Sequence, residues 1–328
     1  MSTPLRIVFL GSDPIARPLL NWLAGQGKTA AEVVGVFTQP DRATGRGQKV
    51  QPNEIKTWAQ ERNLPVFQPD KITEDVRVQL AGLGADVALV MAYGHILRDD
   101  FIGTPRLGTL NFHTSLLPKY RGASPIQTAI ANGEKETGVT LMRIVRRLDA
   151  GPIADVERVA IGSLDTASDI EAKLSEACVP LLARALPKLR EGSLEFIAQD
   201  DAAATYCRRL EKADGSLDFA QSSTVLASRI NGLFPWPACS IAIDGVEVKI
   251  GLADSAPGTG SQGEVIGMGA DGLCVGTSDG VLRLKKLQRP GGKMLSTQEF
   301  LRGFSVAPGT RLTSRPMAPL VANAPFRR

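Results

Sequence analysis

An amide, an imidazole and a hydroxyl follow one another closely in residues 111–122, which read Asn-Phe-His-Thr-Ser-Leu-Leu-Pro-Lys-Tyr-Arg-Gly. A carboxylate, Asp149, lies 36 residues after His113, within Leu-Asp-Ala-Gly. An amide and a protonated imidazole can hold a developing oxyanion, and a carboxylate can set the charge of the imidazole or move a proton. Asn111, His113 and Asp149 are therefore candidate catalytic residues for acyl transfer. The alternative for Asn111 and His113 is an ordinary strand end with a buried, hydrogen-bonded histidine.

Both segments follow runs that are typical of strands, at residues 108–110 and 138–145. Open α/β sheets place their chemistry outside the carboxyl ends of the strands. We therefore expect the two segments to meet at one edge of a sheet.

Strand-like and helix-like segments alternate over residues 1–200. Strands are predicted at 6–10, 33–37, 66–67, 87–91, 110–113 and 139–145, and helices at 15–23, 54–62, 75–83, 125–132 and 166–190. This order predicts an α/β fold with a Rossmann-like, doubly wound parallel sheet. The first strand-to-helix turn, Gly-Ser-Asp-Pro-Ile-Ala at 11–16, lacks the glycines of a dinucleotide site, so neither NAD nor FAD is expected.

The composition and the pattern of predicted elements change after residue 200. A polar, alanine-rich run at 201–206 is interpreted as a linker. Residues 207–312 contain short strand-like runs with Asp-Gly turns at 244–245, 271–272 and 279–280, which favour hairpins and a smaller OB-like β-barrel. Residues 313–328 show no periodicity and are expected to form a disordered tail.

The net positive charge of the chain comes from residues 201–328. Residues 1–200 hold 23 Lys+Arg and 23 Asp+Glu, whereas residues 201–328 hold 15 and 11. Four cations, Lys285, Lys286, Arg289 and Lys293, occupy one short segment. A basic surface fits contact with nucleic-acid phosphates, but it also fits a solvated lysine face, and charge alone does not decide.

Composition limits the class of protein. A chain of 328 residues with 43% hydrophobic and 22% charged residues is typical of a globular protein of two domains. Four widely spaced cysteines and two histidines argue against a metal site and for a reduced, cytoplasmic compartment. No apolar run approaches the roughly 18 residues of a membrane span, so no membrane contact is expected, and we expect a monomer.

The combination of Asn-x-His, Ser-Leu-Leu-Pro, a following glycine and a distant Leu-Asp-x-Gly resembles the folate-dependent formyltransferases. The resemblance implies 10-formyltetrahydrofolate as the formyl-donor co-substrate. It also implies that Asn111 and His113 hold the oxyanion, while Asp149 pairs with His113 and relays a proton. The folate side of the site is expected to include Tyr93, Ser115, Leu116, Leu117 and Pro118. Tyr93 fits a half-buried core tyrosine equally well.

Three cations, Arg42, Arg46 and Lys49, lie among glycines in residues 38–49. Glycines let a backbone approach a ligand, and cations neutralise phosphate. The segment resembles the acceptor-stem loop of the tRNA-formylating members of the family, and Arg42 matches their key arginine. This resemblance, over roughly residues 5–312, implies charged initiator methionyl-tRNA as the acceptor. Thr114, Lys119 and Tyr120 depart from the family pattern beside the site.

Three alternatives remain open on the sequence. Residues 38–49 fit a plain solvated loop on composition. A folate hydrolase or a sugar-nucleotide formyltransferase would use the same Asn111, His113 and Asp149, although the loop with Arg42 argues against it. A non-catalytic RNA-binding module would need only the basic second part, and the catalytic residues argue against that interpretation.

Overall fold

A computed structural model describes residues 3–44 and 49–326. The strands, in chain order, are β1 (Leu5–Gly11), β2 (Ala31–Phe37), β3 (Arg42–Thr44), β4 (Lys49–Gln51), β5 (Val66–Phe67), β6 (Val87–Met91), β7 (Thr109–His113), β8 (Arg121–Gly122), β9 (Glu136–Arg143), β10 (Ile153–Ala160), β11 (Tyr206–Cys207), β12 (Cys239–Ile243), β13 (Val246–Ala256), β14 (Val265–Met268), β15 (Leu273–Gly276), β16 (Val281–Gln288), β17 (Leu295–Ser296) and β18 (Val321–Ala322). The α-helices are α1 (Arg17–Ala24), α2 (Glu54–Gln60), α3 (Glu74–Gly82), α4 (Asp99–Ile102), α5 (Pro125–Ala131), α6 (Ala167–Glu191), α7 (Ser223–Leu233) and α8 (Thr297–Gly303).

The chain forms two compact units that are not contiguous in sequence. Unit 1 comprises Met1–Pro118, Gly138–Val159 and Ala172–Ala203, and unit 2 comprises Lys119–Thr137, Ala160–Glu171 and Ala204–Arg328. The linear division at residue 200 therefore differs from the structure, because two segments before residue 200 belong to unit 2. Tyr206, at the end of the expected linker, is part of strand β11.

Unit 1 is built on a seven-stranded sheet in the order β10-β9-β7-β6-β1-β2-β5. Strands β5, β2, β1, β6 and β7 are parallel. All five residues of β6 are buried, as expected for a parallel strand covered on both faces. The Rossmann-like α/β fold is confirmed, but β9 pairs antiparallel with β7, and β10 was not predicted.

Unit 2 contains a six-stranded antiparallel sheet in the order β12-β13-β16-β15-β14, with β17 paired to β16. Each of the three Asp-Gly pairs lies in the turn between two consecutive strands, as predicted. At the first of them, Asp244 and Gly245 have φ values of 48° and 77°, the left-handed conformation that a tight hairpin requires. The sheet packs on α7 around Leu226, Ile230 and Leu233. The predicted OB-like β-barrel architecture is confirmed.

The expectation of a disordered tail is wrong for residues 313–326. Strand β18 pairs with β11, Leu320 is 7% exposed in the core of unit 2, and the carbonyl of Ala318 accepts a hydrogen bond from buried Arg229 at 3.1 Å. Two residues of strand pairing and one apolar anchor are too short to produce a periodic signal, so no pattern in the sequence indicates them. Residues 327–328 lie outside the described residues.

Replacing Leu320 with alanine should lower the free energy of unfolding by about 2–5 kcal/mol, the usual cost of truncating a buried leucine. Leu295→Ala is the matched control, because that leucine is 36% exposed. Thermal unfolding followed by circular dichroism measures both. Equal melting temperatures for Leu320→Ala and the unmodified chain would show that the tail does not contribute to the core.

Candidate active site

Strand β7 places Asn111 and His113 at the carboxyl end of the parallel part of the sheet. Residues two apart in a strand point to the same face, so both side chains project to one side of β7. In the pairing with β9, Asn111 lies opposite Met142 and His113 opposite Thr140. Asn111 is half-buried, and the side chain of His113 is 7% exposed.

Asp149 reaches His113 by a route that differs from the one predicted. Because β9 is antiparallel to β7, its last residue, Arg143, pairs with Leu110 at the start of the β7 pairing. The end of β9 therefore does not lie at the same edge as the end of β7. The loop after β9 instead brings an Asp149 oxygen, Oδ2, to 3.8 Å from His113 Nδ1.

Three features hold the Asp149 loop in place. Arg143 donates its backbone N–H to the carbonyl of Pro152 at 3.0 Å. A Cβ on Gly151 would lie 1.8 Å from the carbonyl oxygen of Arg143, so only glycine fits this close approach. The amide of Gln199 donates to the carbonyls of Asp149 at 2.8 Å and Gly151 at 2.7 Å. The glycine of the Leu-Asp-x-Gly motif is thus a packing requirement of the loop.

His113 and Asp149 lie close enough to form an ion pair when the imidazole is protonated. At 3.8 Å it is longer than a hydrogen bond, and catalytic contacts of this kind commonly tighten when substrate binds. Asp149 has a φ of 47°, a left-handed conformation that aspartate adopts more readily than most residues. The side chain of Asp149 is 17% exposed, so the pair lies in a largely water-excluded position.

Thr140 supports the turn that follows His113, a role that was not predicted from the sequence. Its buried hydroxyl donates to the carbonyl of Ser115 at 2.6 Å and accepts from the backbone N–H of Leu117 at 3.2 Å. Ser115 and Leu117 are buried, whereas Leu116 and Pro118 are half-buried. A threonine between the apolar residues Val139 and Leu141 is the signal that could have indicated this role, but its partner is set by strand register.

Tyr93 lies in the apolar core of unit 1, with Leu97 and Phe101 in the same cluster. It is 3% exposed, and burial raises the pKa of its hydroxyl well above the ordinary value. The hydroxyl has no hydrogen-bond partner among the described residues. The Tyr93 ring contacts the His95 ring edge-on, with centroids 4.9 Å apart.

Residues 38–51 contain a short hairpin where a loop was expected, because β3 and β4 pair from Arg42–Gln51 to Thr44–Lys49. Arg42 and Lys49 are exposed. Arg46 lies outside the described residues. Arg42 borders a cavity of about 220 Å³, whose other lining residues are Ser12, Gln39, Pro40, Gln51, Pro52 and Asn53. Beside it, a hydrogen bond from Lys56 lowers the pKa of the Asp41 carboxyl.

The four basic residues predicted in unit 2 do not share one environment. Lys286, Arg289 and Lys293 are exposed at the end of β16 and in the loop before β17. The Lys285 ammonium instead lies 3.5 Å from Asp254 and is hydrogen-bonded to Asp271, with its side chain 14% exposed. That hydrogen bond lowers the pKa of the Asp271 carboxyl. Lys285 is therefore committed to an ion-pair cluster within the sheet.

The basic run at 143–147 has structural contacts. Arg143 lies 4.0 Å above the ring of Phe196 and donates to the carbonyl of Leu107 at 3.0 Å. Arg147 pairs with Asp201 at 2.9 Å. These contacts stabilise the neighbourhood of the Asp149 loop.

The described part of the chain offers no metal-ligand cluster, and burial disfavours ionisation of two of its thiols. No group of three His, Cys, Asp or Glu side chains in residues 3–44 and 49–326 has the arrangement of a metal site. All four cysteines are free, and burial raises the pKa of the Cys178 and Cys239 thiols to about 12. No helix within these same ranges is both long and apolar enough to cross a membrane.

Comparison with protein families identifies the class. Residues 5–186 match the formyl transferase family, and residues 209–305 match the C-terminal domain of formyl transferases. The chain belongs to the formyl transferase family, and it is a transferase.

Similar curated proteins point to one branch of that family. A methionyl-tRNA formyltransferase of Pseudomonas fluorescens is 40% identical over 92% of this chain and 94% of its own length. One from Geobacter metallireducens is 38% identical over 94% of this chain and 98% of its own. At this identity and coverage, the chain falls among the methionyl-tRNA formyltransferases, and the resemblance inferred from the sequence is confirmed.

Solved structures share the fold. The N-formyltransferase of Helicobacter canadensis, in complex with folinic acid and dTDP-3-aminofucose, is 19% identical with a TM-score of 0.62, covering 87% of this chain and 99% of that one. HypX from Aquifex aeolicus, in complex with tetrahydrofolic acid, is 18% identical with a TM-score of 0.61 over 91% of this chain. This chain spans 47% of HypX.

Proposed function

We propose that this enzyme transfers the formyl group of 10-formyltetrahydrofolate to the α-amine of methionine esterified to initiator tRNA. The observation that carries the proposal is the approach of Asp149 Oδ2 to 3.8 Å from His113 Nδ1, two residues along β7 from Asn111, in a chain related to methionyl-tRNA formyltransferases over nearly its whole length. The product would be N-formylmethionyl-tRNA for translation initiation.

The mechanism follows from the three side chains. As the amine nitrogen bonds to the formyl carbon, negative charge develops on the formyl oxygen. The Asn111 amide and an N–H of His113 donate to that oxygen, where fixed donors are most effective. Asp149 accepts the proton lost by the amine, directly or through water. The bond between the formyl carbon and the folate nitrogen then breaks, and that nitrogen takes up the proton held by Asp149, directly or through water.

We assign the folate side to the turn after His113. Half-buried Leu116 offers apolar contact there, and the turn that contains it and the buried Leu117 is held by Thr140. The buried Tyr93 hydroxyl has no partner among the described residues, and a ligand would pair with it only after the side chains that cover it move. An unsatisfied buried hydroxyl costs about 1–3 kcal/mol, so a ligand that pairs with it gains affinity.

We assign the tRNA side to the exposed residues Arg42, Lys49, Lys286, Arg289 and Lys293. Arg46, which lies outside the described residues, is assigned to it from the sequence alone. Exposed guanidinium and ammonium groups bind phosphate without sequence readout. Lys285 is not among them, since its two carboxylate partners already neutralise it. We further propose that the enzyme is a monomer. We also propose that it acts in the cytoplasm, and its four free cysteines support this location.

One assay tests the proposal. Purified enzyme is incubated with 10-formyltetrahydrofolate and either charged initiator or charged elongator methionyl-tRNA, and formylmethionine is followed. Formylation of the initiator species is expected. A dTDP-amino sugar is the control acceptor, and water alone tests for hydrolysis of the donor. Formylation of the sugar but not of methionyl-tRNA, or hydrolysis alone, would overturn the proposal.

Neutralising Lys286, Arg289 and Lys293 together should raise the KM for tRNA and leave kcat little changed. Each lost phosphate contact should reduce the salt slope of binding by about 1. The test is steady-state kinetics of Lys286→Gln, Arg289→Gln, Lys293→Gln combined, across a salt series. Lys285→Gln is the matched control, which should affect stability more than KM. A KM that stays constant at every salt concentration would assign these residues to a merely solvated face.

A further inference from the structure

Gln39 joins the two sides of the site. Its amide nitrogen, Nε2, donates to the carbonyl of Tyr93 at 2.9 Å, and its amide oxygen, Oε1, accepts from Arg42 Nη2 at 3.2 Å. Under the proposed function, on which this inference rests, Tyr93 belongs to the folate side and Arg42 to the tRNA side. We propose that Gln39 is a positioning residue that couples the binding of folate to the binding of tRNA.

The orientation of the Gln39 amide is fixed by chemistry. A backbone carbonyl can only accept a hydrogen bond, and a guanidinium can only donate one. A flipped amide would therefore place two acceptors together at Tyr93 and two donors together at Arg42. Both contacts form in one orientation of the side chain, so a rotation of the amide that weakens one hydrogen bond also weakens the other.

The backbone of Gln39 is also held. Its N–H donates to the hydroxyl of Ser12 at 3.0 Å. Its carbonyl accepts from the amides of Gln68 at 2.8 Å and Asn53 at 3.2 Å. Because the backbone N–H and carbonyl of Gln39 are both hydrogen-bonded, Gln39 can move mainly by rotation of its side-chain torsions. When a ligand shifts the Tyr93 peptide, the Gln39 side chain must move with it, because the Gln39 main chain is held. That movement changes the position of the Gln39 Oε1 acceptor and therefore of Arg42.

The same residue borders the cavity beside Arg42. A tRNA end that engages Arg42 enters next to the Gln39 side chain, and the guanidinium is better placed when Oε1 restrains it. Each ligand should therefore tighten the binding of the other. Coupling between two sites is typically about 5- to 150-fold in affinity, and one side-chain bridge is expected at the lower end.

The test measures the dissociation constant of tetrahydrofolate with and without saturating methionyl-tRNA. Tetrahydrofolate carries no formyl group, so no reaction intervenes. In the unmodified enzyme, tRNA should tighten tetrahydrofolate binding about fivefold or more. Gln39→Leu removes both contacts and should bring the ratio to about one. Gln39→Glu keeps the acceptor for Arg42 but loses the donor to Tyr93. It should also bring the ratio to about one, while tRNA affinity alone stays near that of the unmodified enzyme.

Gln68→Leu is the matched control. Among the described contacts, Gln68 reaches Gln39 only at the backbone carbonyl, which Asn53 still holds in the variant, so the fivefold ratio should remain. A ratio near one in the unmodified enzyme, or an unchanged ratio in both Gln39 variants, would overturn the coupling while formylation of methionyl-tRNA continues. An enzyme that binds neither ligand and does not formylate methionyl-tRNA would overturn the proposed function together with the coupling.

Discussion

Replacing His113 with alanine should lower kcat about 100- to 1000-fold, because losing one oxyanion donor typically costs about 2.7–4 kcal/mol of transition-state stabilisation. The KM values for both substrates should change far less, since His113 acts on charge that develops only during the reaction. Single-turnover kinetics with saturating substrates separates the chemical step from product release.

Asn111→Ala and Asp149→Ala should each reduce kcat in the same way. Residues that act as a unit are strongly non-additive, so the double variant Asn111→Ala, His113→Ala should lose less than the product of the single effects. His95→Ala is the matched control for the histidine, and its kcat should stay close to that of the unmodified enzyme. A near-normal kcat in His113→Ala would refute the assigned mechanism.

The sequence predicted most of the unit 1 fold because its strands are short apolar runs separated by helices of clear periodicity. It could not predict the direction of β9, since a run of buried apolar residues looks the same whichever way the strand runs. Strand β10 was missed because its residues are half-buried or exposed, so it lacks the apolar run of a central strand. Strand β18 is two residues long and has no local signal.

The candidate catalytic residues could be predicted from their residue types, but the residues that hold them in place could not. Asn111, His113 and Asp149 stood out because an amide, an imidazole and a carboxylate recur at a family spacing. Thr140 and Gln199 act through contacts that span 25 and 50 residues. Such contacts depend on register and loop path, which become visible only in three dimensions.

The environment of Lys285 is a second feature that could not be predicted from the sequence. A cluster of cations in sequence predicted a cluster on the surface, yet consecutive residues of β16 point to opposite faces of the strand. Arg283 and Lys285, two residues apart, both pair with Asp254. Lys286, between them and the loop, is exposed. Strand periodicity therefore separates neighbouring cations into paired and solvent-facing groups.

Replacing Arg42 with alanine should damage the use of tRNA and leave tetrahydrofolate binding in the absence of tRNA intact. A hydrogen bond to a charged group contributes about 1.5–3 kcal/mol, so the KM for methionyl-tRNA should rise roughly 10- to 100-fold. The salt slope of tRNA binding should also fall by about 1 if the guanidinium contacts a phosphate. Equilibrium binding across a salt series measures both effects.

Arg77→Ala is the control for Arg42→Ala, because that arginine is paired with Glu74 on α3 and has no place in the site. The two variants remove the same charge from unit 1, so a general loss of attraction to RNA would weaken both equally. A specific contact at Arg42 weakens only the Arg42 variant. If Arg42→Ala instead lost affinity for tetrahydrofolate with tRNA affinity unchanged, the hairpin would belong to the folate side, and recognition of tRNA would have to come from the exposed cations of unit 2.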